Sequence, residues 1–353
     1  MQNDLIDEAR RQIEVCNACR YCENYCAVFP ALHENRIFSI GDITQLANLC
    51  HNCRGCYYAC QYTAPHEFDL NLPKALAEVR LDSWEELAYP RRAARLFQTN
   101  GLAVTIATVL GFATLFMVAG LVGGGGGEGF YAVLPHSAMI AIFIPAFVFP
   151  LLSIAFSLRR YWLETAGELV RPRHLIDAVK AIAKMRNLAG GHGDGCNFED
   201  TDAFSHKRRI AHQMILFGFL LCFASTGAGT IMHYAFDMQA PYGLFSVPKL
   251  LGIPGGILLS VGVVWMVILK QQSDPDLGAK RAWSGENAFT ILLGFVAFSG
   301  LALYALGGTA LMSVLLALHL GSVLSFFLLM PFSKMAHSFY RMAALVRDAQ
   351  RDG

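Results

Sequence analysis

The chain has 353 residues, a formal net charge of +1, 16% charged and 54% hydrophobic residues, and a mean hydropathy of +0.40. Charge this sparse excludes a uniformly soluble chain. The near-neutral balance gives no sign of a nucleic-acid partner, because the basic residues fall at the edges of apolar runs.

Residues 1–98 nonetheless read as an ordinary polar domain, and eight of the ten cysteines lie in its first sixty residues. They form two copies of one spacing: Cys16-x2-Cys19-x2-Cys22-x3-Cys26, then Cys50-x2-Cys53-x2-Cys56-x3-Cys60. That spacing binds cubane iron–sulfur clusters, with three thiolates on a tight curl and a fourth reaching across to the other cluster. Crossed ligation gives one [4Fe–4S] cluster Cys16, Cys19, Cys22 and Cys60, and the other Cys50, Cys53, Cys56 and Cys26. Structural zinc is an alternative for C-x2-C pairs, although four zinc ligands usually come as two separated pairs. Disulfides are the other.

Ala27 and Gln61 follow the fourth cysteines where small βαββαβ ferredoxins commonly carry proline. The flanks read as helix. Asp4 to Val15 mixes Leu5, Ile6 and Ile13 with charged residues, and Leu72-Pro73-Lys74 opens a run through Trp84 with proline in a first-turn position. An all-α chain is expected: an α-helical ferredoxin domain over 1–98, then a six-helix transmembrane bundle over 99–353.

From Gly101 onward, six apolar runs reach the ~18–20 residues that cross a bilayer core. They cover about 101–122, 132–157, 212–233, 249–269, 287–306 and 310–333. No secretory signal is expected ahead of them. Connections after the first, third and fifth runs hold no Lys or Arg, whereas the opposite side carries Arg91, Arg92, Arg95, Arg159, Arg160, Lys207, Arg208, Arg209, Lys270, Lys280, Arg281 and Lys334. The positive-inside rule then puts both termini and the cysteine domain in the cytoplasm, where thiols stay reduced.

The connection 158–211 opens on Arg159-Arg160-Tyr161-Trp162, a basic-aromatic interface anchor. A basic amphipathic stretch, Leu175 to Leu188, is expected on the membrane surface. Gly190 to Cys196 reads as a flexible loop without a phosphate-binding fingerprint, and His192, Cys196 and His206 are assigned to that flexibility, with a docking or metal role as the alternative. Gly123–Gly127 forms an outer loop without chemistry of its own.

Polar residues at bilayer depth are costly and usually functional. His319 and His337 lie 18 residues apart on the same span, five helical turns, so their imidazoles share a face about 27 Å apart. His212 and His233 bracket the third run, about 31 Å apart. Antiparallel helices then level His212 with His337 at the inner depth and His233 with His319 at the outer depth. Such pairs suit the axial positions of b-type haem, one or two; His136 could replace His233. Gly218, Gly227, Ala228, Gly229 and Gly321 would let a flat macrocycle approach. Against this, His212 and His337 can also be read as helix-end interface residues. Cys222 reads as packed, and Lys249 as snorkelling or meeting a propionate or quinone oxygen.

These motifs, with His-Glu-Phe-Asp-Leu-Asn-Leu-Pro-Lys at 66–74 and Gly-Cys-Asn-Phe-Glu-Asp at 195–200, resemble the tricarballylate/citrate utilisation protein B family over nearly the whole chain. His319-x17-His337 with Pro331-Phe332 is similar to the last haem-bearing helix of respiratory nitrate reductase γ subunits, and the cysteine domain resembles those of the heterodisulfide reductase C type. The resemblance implies a bacterial inner-membrane protein. Its partner would be a soluble FAD-dependent enzyme, tricarballylate dehydrogenase, on the cytoplasmic face, and its acceptor the membrane quinone pool.

The residues themselves indicate an electron path. No acid/base dyad, nucleophile or nucleotide loop is present, which fits an oxidoreductase component that moves electrons rather than remaking bonds. Service to a different dehydrogenase or a thiol/disulfide partner is the alternative within this class. A redox-gated transporter is a remote one, hinted at only by Gly252-Ile253-Pro254-Gly255-Gly256.

Overall fold

The computed structural model describes residues 2–123, 135–190, 193–199 and 203–351. Among these the chain is all-α, with thirteen α-helices and no strand. The outer glycine loop beyond Gly123, His192 and Asp200 fall outside the described residues.

The N-terminal domain comprises α1 (Gln2–Cys19), α2 (Val28–His33), α3 (Ile40–Leu49), α4 (Gly55–Tyr58) and α5 (Leu72–Leu87). On α1, Ile6, Ala9 and Ile13 fall at helical spacing and enter the core. A capping box between Ser39 and Asp42 starts α3, and Asn71 caps α5 by accepting from the Lys74 amide, with Pro73 in the first turn. Leu46, Leu49, Leu72, Leu76, Val79 and Trp84 complete the core.

Six further helices are long and apolar enough to cross a membrane: α6 (Arg91–Gly123), α7 (His136–Glu164), α9 (Lys207–Phe236), α10 (Val247–Gln271), α11 (Trp283–Leu306) and α12 (Met312–Leu329). The chain is read as a multi-pass membrane protein on that basis. α6 departs from helical geometry at Asn100 (φ −125°, ψ 32°), immediately before its apolar run begins. α10 continues unbroken through Gly252–Gly256 and Pro254.

Small residues set the helix–helix approaches. A Cβ on Gly218 of α9 would sit 2.5 Å from the Leu259 amide of α10, and one on Gly255 would sit 2.8 Å from Leu221 Cβ. A Cβ on Gly321 of α12 would meet the Ala113 amide of α6 at 2.7 Å. Gly218 and Gly321 therefore serve helix packing, not the macrocycle approach expected of them from sequence, whereas an added Cβ on Gly227 would meet nothing within 4 Å.

Two further expectations are corrected. His319 and His337 do not share a helix: α12 ends at Leu329, and His337 lies on α13 (Ala336–Ala349). Pro331 between them lacks an amide hydrogen, and although Met330 keeps α geometry (φ −51°, ψ −48°), the backbone passes through turns at 330–335, so the unbroken five-turn spacing lapses. Tyr161 is fully buried in the N-terminal core rather than standing at a lipid interface. The amphipathic stretch forms α8 (Pro172–Lys184), whose Ala178 and Ala181 pack into that same core while Leu175, Ile176 and Val179 stay exposed.

The segment after the last span thus returns to the N-terminal domain. Tyr340 of α13 stacks on Trp84 (centroids 6.1 Å, planes 16° apart), and Gln45 Nε2 donates to the Ala344 carbonyl at 2.9 Å.

Candidate redox centres

The two cysteine motifs repeat in backbone as well as in spacing. Arg20 and Arg54, each following the second cysteine of its motif, both adopt left-handed geometry (φ 57° and 63°). This is uncommon for a residue with a side chain; it reverses the chain between the second and third thiols. In the second motif Cys50 caps the end of α3, its amide donating to the Leu46 carbonyl, and α4 carries Cys56.

The thiols sort into two groups by mutual influence. Burial first, then the Cys60, Cys22 and Cys19 thiols, push Cys16 up to about 12; burial and then Cys60 and Cys19 do the same to Cys22. Burial pushes Cys26 well up, reinforced by Cys53 and Cys50, and raises Cys53 to about 11. Cys56 is raised by burial and by Cys53, Cys26 and Cys50, and also feels Cys22. These influences put Cys60 near Cys16 and Cys22, and Cys26 near Cys50 and Cys53, with Cys22 and Cys56 adjoining. A cavity of ≈ 210 Å³ opens among Cys16, Cys19, Cys22, Cys56 and Cys60 beside Tyr21, Tyr57 and Tyr62.

No three His, Cys, Asp or Glu among the described residues lie close enough together for a single metal ion. A cubane takes thiolates at its corners, wider apart than the ligands of one ion. Two groups of four soft donors, each drawn from both motifs, fit two [4Fe–4S] clusters.

The loop carrying Gly195-Cys196-Asn197-Phe198 supports the second group. The Asn197 amide donates to the Cys53 carbonyl at 3.0 Å, and Cys196 pairs with Ser205 in an isolated bridge. Arg54 and Arg208 lie over the Phe198 ring at 5.2 and 3.9 Å. Cys196 is fully buried, so this part of the connection is a brace rather than the flexible loop expected; His206 stands exposed just before α9. Sequence reading missed the role because nothing local ties residue 196 to residue 53.

Four of the five candidate histidines come together in two pairs. His212 of α9 and His337 of α13 face each other at the end of the bundle nearest the cysteine domain, ring centroids 6.0 Å apart and planes at 76°. An iron bonded to both imidazoles at about 2 Å, with each ring centre roughly 1 Å behind its nitrogen, would need a separation of roughly 6 Å. His337 Nδ1–H donates to the Lys334 carbonyl, the support that orients a ligating imidazole and leaves Nε2 free. His212 Nδ1 is buried without a partner. The inner pair fits a haem iron. Beside it Glu286 is clasped between Lys270 and Lys334 at 3.0 and 2.9 Å.

The far end is arranged differently. His233 lies against His136, centroids 4.4 Å apart, and His136 Nε2 shares a hydrogen bond of 2.9 Å with the Tyr234 hydroxyl. No ring contact among the described residues joins His233 to His319. His319 Nδ1 instead bonds Ser299 Oγ at 3.0 Å, and Gly300 of α11 makes room for the ring, since a Cβ there would be 3.0 Å from His319 Cε1. A pair 4.4 Å apart leaves no space for iron between its rings. His136 and His233 therefore do not ligate one iron between them. Lys249 lies over the Tyr304 ring at 5.1 Å, and Cys222 packs half-buried against the core of the bundle.

Residues 9–86 match the family model described as the Citrate utilization protein B Fer4-like domain, and residues 87–352 the one described as Citrate utilization protein B. The chain is 40% identical over 348 residues to "Citrate utilization protein B" of Escherichia coli, covering 97% of this chain and 91% of the relative. No solved structure matches the chain.

Proposed function

The chain belongs to the citrate utilization protein B family, and from that premise we propose that it drains electrons from a soluble flavoprotein into the membrane quinone pool. The observation that carries this reading is positional. The second thiol group is packed against α13, and α13 also bears His337, whose ring faces His212 at 6.0 Å.

Cys16, Cys19, Cys22 and Cys60 would hold one [4Fe–4S] cluster, Cys26, Cys50, Cys53 and Cys56 the other, and His212 with His337 a single b-type haem. When bound, these groups supply one-electron centres, so that a donor holding electrons in pairs can release them singly. The chain's own residues do the rest. Burial of Cys26, Cys50, Cys53 and Cys56 shields the second centre from water, the Lys334 carbonyl fixes the His337 ring, and Tyr21, Tyr57 and Tyr62 line the opening at the first group. The partner in this reading is an FAD-dependent dehydrogenase of the tricarballylate type, docked where the first thiol group opens. Both termini lie on the cytoplasmic side of the bacterial inner membrane.

Anaerobic purification of the full chain tests it. Expected are about eight non-haem irons with matching sulfide, as two cubanes require, and a b-type α-band in the reduced-minus-oxidised spectrum. His337→Ala should abolish that band and leave the non-haem iron in place. A colourless, iron-free preparation contradicts the reading.

A further inference from the structure

Three guanidiniums from three different elements converge on the loop of the second thiol group. Arg80 of α5 donates from Nη1 to the Cys50 carbonyl at 2.7 Å and the Ala47 carbonyl at 3.3 Å. Arg341 of α13 donates from Nη2 to the same Cys50 carbonyl at 2.7 Å. Arg208, at the start of α9, donates from Nη1 to the Asn52 carbonyl at 2.6 Å. Arg80 is only 8% exposed, and Arg341 Nε is buried with no hydrogen-bond partner.

Like charges gathered out of water repel and are costly unless an anion compensates them. Arg80 and Arg341 donate to the same Cys50 carbonyl oxygen, so their two guanidinium charges adjoin. Glu85 is paired with Arg281 at 2.7 Å, and Glu199, whose carboxylate oxygens are buried without a hydrogen bond, faces Lys207 at 3.5 Å. At the first thiol group the arginine that donates to the loop is the exposed Arg20. The groups acting on Cys16 and Cys22 are other thiols, and Arg20, the counterpart of Arg54, is exposed and turned to the Asn17 carbonyl.

We propose that Arg80, Arg208 and Arg341 hold the cluster on Cys26, Cys50, Cys53 and Cys56 at a higher potential than the cluster on Cys16, Cys19, Cys22 and Cys60, making it the centre from which electrons leave for His212 and His337. Reduction adds one negative charge to a centre, so fixed cations beside it favour the reduced form. Arg341 is the positioning residue of the three, because it lies one turn beyond His337 on α13 and ties the thiol loop to that helix. The inference rests on the two-cluster reading above.

Potentiometric titration of the full-length protein, followed by electron paramagnetic resonance, tests it. Cys26→Ser identifies the signal of the second cluster. Arg341→Gln should weaken reduction of that cluster at least tenfold, equivalent to a 59 mV fall for a one-electron couple, while the first cluster and the iron content stay unchanged. Arg341→Lys keeps the charge without the fork and should retain most of the potential. If Arg341→Gln fails to assemble, Arg208→Gln carries the same expectation. Equal shifts in both clusters, no shift, or a lysine variant as impaired as the glutamine one would overturn the ordering while leaving the two clusters in place. A wild-type protein lacking two cluster signals would sink the functional reading itself and the ordering with it.

Discussion

Cys26 and Cys60 are the residues on which crossed ligation turns. Each closes its own sequence motif, yet Cys26 lies under the influence of Cys53 and Cys50, and Cys60 acts on Cys16 and Cys22. Cys26→Ser should therefore diminish the cluster signal of the second group and Cys60→Ser that of the first, each read by spin quantitation with iron analysis. Uncrossed losses would refute the assignment. The thiols were legible from sequence because a cluster needs three donors within one curl, which fixes their spacing locally. Histidine partners carry no such constraint. His212 and His337 meet across elements far apart in the chain, and their levels followed from helix direction alone. The contact of His233 with His136 rather than His319 depends on how the outer ends of the helices lean, which counting residues along an axis does not reveal.

Helix lengths and apolar runs were readable because a bilayer imposes a minimum span; their junctions were not. Pro331 sits in a run apolar enough to pass for continuous helix, and only the turn at 330–335 separates α12 from α13. Glycines likewise gave no sign of their neighbours. Gly218 faces the backbone of α10, whereas Gly227 has nothing within 4 Å of an added Cβ. Gly218→Val should force α9 and α10 apart and destabilise the bundle by about 1–3 kcal/mol, the usual cost of overpacking, seen as a lower unfolding midpoint in detergent. Gly227→Ala should leave that midpoint unchanged or slightly raised. Equal behaviour of the two variants would show that the close approach of α9 to α10 does not matter for stability.

The whole molecule is a polar helical domain held against one end of a membrane bundle by segments distant in sequence. α13, α8 and the inner end of α7 contribute Tyr340, Ala344, Ala178 and Tyr161 to the core of the N-terminal domain. The brace at 195–198 adds a further tie at Cys53. Sequence reading divided the chain by polarity, and polarity does not register that residues after the last span return to the first domain. That return brings the second thiol group and the inner histidine pair onto neighbouring elements, and the functional account depends on it. Purified protein in quinone-containing liposomes, given a reduced flavin as donor on the side of the cysteine domain, tests the account directly. Quinone should be reduced by the wild-type chain and not by Cys50→Ser at equal incorporation. Quinone reduction undiminished in Cys50→Ser would contradict it.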